Sequence, residues 1–102
     1  MAFAENFEDL QIWQRSRVLT NAIYDAFEKI RDFEFSSQIQ SAAVSVMNNI
    51  AEGFERRTKK DFAHFLDLSK GSSGEVRSML YLAEDRRYLS QSAAENLRTE
   101  YK

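Results

Sequence analysis

An all-α fold, an antiparallel up-down four-helix bundle with a short fourth helix, is predicted by three features of the 102-residue sequence. There is no proline, and the only glycines are Gly53, Gly71 and Gly74, so little interrupts long helices. Apolar residues recur at steps of three and four over long segments, the spacing that lines up side chains on one face of a helix. Segments rich in β-branched residues, which strands require, are missing. The length suits one domain, residues 1–102, that hides about two-thirds of its unfolded surface around a single core.

Met1 to Asn6 forms a short polar lead that Phe3 and Phe7 are placed to anchor. The first helix is expected over about residues 9–31, with Ile12, Ser16, Leu19, Ile23, Ala26 and Ile30 as one stripe and Trp13, Thr20, Tyr24 and Phe27 as a second beside it. So wide an apolar face serves either a large aromatic core or a contact between subunits. Residues 31–37, RDFEFSS, read as a turn that ends in serines able to cap the second helix, with Phe33 and Phe35 exposed, plugging the bundle end or touching a neighbour.

The second helix, about 37–56, carries the stripe Ile39, Ala43, Val46, Ile50 and Gly53 or Phe54. Beside it stand the small residues Ser41, Ala42 and Ser45, which let another axis come close, and Asn48 and Asn49, whose amides need partners if covered. Thr58 with Asp61 resembles a capping box that opens the third helix, about 59–85. Its stripe runs through Phe62, Leu66, Ser69, Ser73, Val76, Leu80 and Ala83. Gly71 and Gly74 each weaken a helix by up to about 1 kcal/mol, so KGSSG is expected where the Ala42 to Ser45 backbone approaches. Ser90 or Ser92 can start the fourth helix, about 91–101, whose apolar positions are Ala94, Leu97 and Tyr101. At 1.5 Å per residue it is about 16 Å long against about 40 Å for the third, so this helix is truncated, its tail is not included, or a partner covers the groove left beside it.

Without cysteine, disulfides, thiolate catalysis and cysteine-bound zinc are excluded. No apolar run reaches the roughly 18 residues of a membrane span, and the start MAFAENFEDL is acidic where a signal peptide is basic, so a cytoplasmic protein without membrane contact is expected. A net charge of −2 argues against indiscriminate coating of nucleic acid. The charge is uneven, however: residues 1–53 hold four Lys or Arg against eight Asp or Glu, and residues 54–102 hold ten against eight.

The run SAAVSVMNNIAEGFERRTKKDF, with FEDLQIW upstream at Phe7 to Trp13 and FL at Phe65 and Leu66 followed by KGSSGEV at Lys70 to Val76, resembles the four-helix bundle proteins known as 23S rRNA intervening-sequence proteins. Three motifs fall in the family's order and spacing between Phe7 and Tyr88. The resemblance implies an up-down bundle that assembles into a homo-oligomeric ring, usually a pentamer. It also implies kinship with accessory proteins of diversity-generating retroelements, which engage a reverse transcriptase and RNA. No reaction is implied. The chain departs from the family pattern at Ser41, where relatives commonly show arginine, and at Met47, where they commonly show proline. The first removes a charge that bears on ligand binding, and the second straightens the second helix.

Asn49, Glu52 and Glu75 stand where the family places its NIAEG and GS-x-x-E motifs, and with Gly71, Ser72 and Gly74 they form the candidate polar and packing set. Recognition is one role open to them; the preferred one is hydrogen bonding across the bundle, Asn49 or Glu52 to a serine of KGSSG, which fixes helix register. The candidate nucleic-acid surface is the basic corner Arg56, Arg57, Lys59 and Lys60, with Arg86 and Arg87 adding to it or lying at the far end. Arginines suit a helix C-terminus, but lysines are disfavoured at the N-terminus of the next helix. Solubility is the plainer explanation of the corner.

His64, flanked by Asp61 and Asp67, lacks the ligand set of a metal site and is expected to face water. Glu28 and Asp32 have no partner for acid-base chemistry and read as a solvated surface. The expected function is therefore a non-enzymatic interaction protein with no cofactor, no metal and no small-molecule substrate, an adaptor for structured RNA or a ribonucleoprotein. A protein-binding scaffold whose groove receives a partner helix is the alternative.

Overall fold

The computed structural model describes residues 4–102. A 3₁₀ turn at Phe7–Asp9 leads into α1 (Gln11–Ala26), α2 (Phe33–Glu55), α3 (Lys59–Asp85) and α4 (Gln91–Glu100), and no strand occurs among the described residues. The helices stack into an elongated bundle of 46 × 21 × 19 Å. The antiparallel register of α2 and α3 follows from who meets whom: Gly53 faces Phe62 and Phe65, Val46 faces Ser69, and Ser45 faces Ser72.

The three-four stripes become the core. Ile23, Ile39, Val76 and Leu80 are fully buried, and each such aliphatic contributes about 1.5–3 kcal/mol over an exposed position. Both stripes of α1 are used, because Leu19 and Ile23 of one and Thr20 and Phe27 of the other are buried. Tyr24 and Ile12 remain about half exposed. In α4, Ala94 and Tyr101 are buried and Leu97 is partly so. Phe7 meets Trp13 edge-on at 5.1 Å and anchors the lead, whereas Phe3 lies outside the described residues.

The first turn corrects the sequence expectation. The first helix stops at Ala26, not 31, and the second starts at Phe33, not 37. The cap is Asp32, whose side chain accepts the Phe35 N–H at 3.1 Å; Ser36 and Ser37 lie inside the helix. Starting there puts Phe35 one turn before Ile39, so the core stripe gains an aromatic ring. Phe35, expected to be exposed, is buried against Phe27 and Tyr88 and plugs the bundle end, while Phe33 is 75% exposed. The remaining caps fall where expected: Thr58 Oγ1 accepts the Asp61 N–H at 3.0 Å and Ser90 Oγ accepts the Ala93 N–H at 3.2 Å.

Candidate functional site

The basic corner is the three-residue turn from α2 to α3 together with the first residues of α3. It is held tight because α2 presents Gly53, where an added Cβ would stand 2.6 Å from the Cβ of Phe65 and 3.1 Å from the Phe62 ring. Phe54 and Phe62 meet edge-on at 6.0 Å. Over this aromatic base lies Arg56, its guanidinium 4.9 Å from the Phe65 ring centre and 2.7 Å from Glu52. Glu52 is therefore an exposed partner of Arg56 one helical turn away, and not a group that bonds across the bundle.

Arg57, Lys59 and Lys60 are all exposed, and no described carboxylate pairs with them. Glu55 and Asp61 thus neutralise the corner only at a distance. Arg86 and Arg87 follow the other end of α3, about 40 Å away, with Arg87 in the left-handed region at φ 62°. They form no part of the corner.

Polar packing between α2 and α3 is carried by serines. Ser45 and Ser72 hydroxyls meet at 2.8 Å, and Ser69 donates to the Val46 carbonyl at 2.8 Å. Asn49 Nδ2 donates to the Ser45 carbonyl at 2.8 Å and to its hydroxyl at 3.0 Å, so Asn49 reaches KGSSG through Ser45 and not directly. Glu75 is exposed.

The glycines of KGSSG do not mark the close approach. A Cβ at Gly71 would meet nothing within 4 Å, and one at Gly74 only the Arg77 guanidinium at 3.6 Å. Gly71 faces solvent, because the residues that turn toward α2 are Ser69, Ser72 and Val76. The tight contact falls instead at Gly53, which the sequence offered only as the end of a stripe. His64 is exposed with its ring edge-on to Phe65 at 5.5 Å.

The second surface is a groove of about 470 Å³ past the last turn of α4. Ile12 and Leu19 of α1, Val46 and Ile50 of α2 and Leu66 of α3 line it, with the hydroxyl side chains of Ser16, Ser69 and Ser73 among them. Four cations border it, Arg15, Lys70, Arg77 and Lys102, against one carboxylate, Glu100, which is drawn onto Arg15 at 2.7 Å. Tyr101 closes the α4 end. Burial pushes its phenol up to about 12, with the Thr20 hydroxyl opposing. That hydroxyl donates its own hydrogen to the Ser16 and Ala43 carbonyls, and no group meets the Tyr101 oxygen at hydrogen-bonding geometry. On α4's other flank, Arg98 binds Glu84 at 2.9 Å and lies 4.1 Å over the Tyr81 ring, which fixes α4 to α3.

No described helix is long and apolar enough to cross a membrane, and no three described His, Asp or Glu side chains cluster as a metal site. No curated protein matches the chain in sequence. A family model described as 23S rRNA-intervening sequence protein covers residues 8–102, a span that holds all four helices, the NIAEGFERR turn at the end of α2 and the KGSSGEV segment of α3, and the chain belongs to the 23S rRNA-intervening sequence protein family.

Proposed function

We propose that this protein is a non-enzymatic, cytoplasmic adaptor that binds structured RNA, or a ribonucleoprotein through its RNA, at the basic corner. One observation carries this reading: Lys59 and Lys60 stand exposed on the first turn of α3, the positive end of the helix dipole, with no described acidic partner. Charges held where the fold disfavours them suit an anionic ligand, and the phosphate backbone is the densest such ligand a protein meets. The family's name, which ties it to an intervening sequence of 23S rRNA, agrees. Assembly into a homo-oligomer, a pentamer by family resemblance, repeats the corner and multiplies the phosphate contacts.

The test is binding of a fluorescent RNA hairpin across a salt series. Wild-type protein is expected to bind at low salt. The Lys59→Glu, Lys60→Glu double variant is expected to bind more weakly, with the slope of log affinity against log salt reduced by about 2 if each lysine meets one phosphate. Absence of wild-type binding at low salt, or an unchanged slope in the variant, overturns the reading. The groove supports a second reading, a scaffold that receives a partner helix, because aliphatic side chains line it.

A further inference from the structure

We infer that the corner takes up an unpaired base of its RNA on the outer face of the Arg56 guanidinium, while Arg57, Lys59 and Lys60 meet the phosphates; this rests on the RNA reading and names the part of the RNA that is recognised. The corner holds two kinds of cation. Arg57, Lys59 and Lys60 have no described carboxylate partner, so their charge is open to phosphate. Arg56 differs, because Glu52 stands 2.7 Å from its Nη2 and already offsets its charge. What Arg56 still offers is a plane.

That plane is held by the fold on three sides. The Arg56 N–H donates to the Gly53 carbonyl at 3.2 Å, which fixes the backbone where α2 ends. Gly53 in turn lets the Phe65 Cβ come against α2, so the Phe65 ring lies under the guanidinium, 4.9 Å from it. Glu52 holds the edge from one helical turn back. With one face on Phe65 and 48% of the side chain exposed, the other face is left toward solvent. Unstacked RNA bases pack on such planes, and a guanidinium already in position loses little freedom when they do. In a paired stem the base faces are covered by their neighbours, so the plane selects loops, bulges and ends. His64 sets a second exposed ring against Phe65, edge-on at 5.5 Å, one turn along α3 from Lys60 and on the same face. None of Arg56, His64 and Phe65 lines the groove past α4, so this surface does not depend on what fills that groove.

The probes are an RNA hairpin and the same hairpin with abasic residues in its loop, which keeps every phosphate and removes the loop bases. By fluorescence anisotropy at low salt, the wild-type protein is expected to bind the intact hairpin about tenfold more tightly than the abasic one, within the range that stacking of a base provides. The salt slope is expected to be the same for both. Arg56→Lys keeps the charge and removes the plane; it is expected to abolish the difference between the hairpins without changing the salt slope or the circular dichroism. Glu52→Ala removes an acid but frees the guanidinium. It is expected to tighten binding of both RNAs while narrowing the gap between them, and it serves if Arg56→Lys does not fold.

Equal binding of the two hairpins by the wild-type protein overturns the base assignment and leaves the phosphate reading standing. Binding of neither overturns both. A gap that survives in Arg56→Lys places the base elsewhere and overturns the site. Tightening of both RNAs in Glu52→Ala with the gap intact shows that Glu52 acts by its charge alone, and overturns the held plane.

Discussion

Asp32 serves two elements through one carboxylate, accepting the Phe35 N–H at 3.1 Å as the cap of α2 and the Tyr88 hydroxyl at 2.7 Å from the turn after α3. The Tyr88 hydrogen bond, then the Phe35 N–H and the nearby Arg86 charge, hold its carboxyl below the ordinary 3.8, with slight desolvation opposing. The same bond to Asp32 raises Tyr88 above its ordinary 10.0. A depressed carboxyl contributes stability above its unfolded value and loses it as pH falls through the folded one, so the contribution disappears below about pH 4. Raised Tyr88 contributes below about pH 10 and loses that contribution as pH rises through its folded value. Asp32→Asn is therefore expected to flatten the acid limb of urea midpoint against pH, and Tyr88→Phe to shrink that limb and soften the alkaline one. An acid limb of unchanged slope in Asp32→Asn would show that other carboxylates set it. The cap was not legible: the sequence pointed to Ser36 and Ser37 and left Asp32 on a solvated surface, and the choice was made by Phe35, whose ring is buried only if the helix starts early.

At the scale of the element, the glycines separate what local pattern reveals from what tertiary contact decides. Gly53 admits the Cβ of Phe65, an atom tied to its own backbone that cannot turn aside. Gly53→Ala must therefore push α3 away from α2. We expect it to lower stability by about 1–2 kcal/mol, overpacking exceeding the gain in helix propensity. Gly71→Ala fills open space and is expected to raise stability by up to about 1 kcal/mol. Chemical denaturation of the two variants checks both signs, and a stabilised Gly53→Ala would refute the close contact. From the sequence, KGSSG advertised tight packing by composition. Yet composition does not reveal which side of a helix a glycine occupies when serines beside it do the bonding. The stripes of α3 and α4, and that of α2 from Ile39 onward, were legible because a three-four spacing leaves one burial solution, and the starts of α3 and α4 were fixed by their Thr58 and Ser90 caps.

For the whole molecule, the difference in length between α3 and α4 made the groove foreseeable, whereas its cationic border was not: Arg15, Lys70, Arg77 and Lys102 are scattered in sequence and meet only after folding. Assembly is the property to measure at this scale. Val18 is 66% exposed on α1, and Leu68 and Leu82 are about half exposed on α3. We expect light scattering to give a mass several times 11.9 kDa, and charge substitution at Leu68 with Leu82 to reduce it; a monomer at every accessible concentration would refute the ring. The hydroxyl seam between α2 and α3 has a mechanical corollary. Shifting one helix along the other by a heptad would keep oily faces matched but strip Ser45, Ser69 and Ser72 of their mates, so the pair behaves like a latch with a single notch. Any signal passed between the corner and the groove must then travel by tilting or bending of rods, never by their gliding.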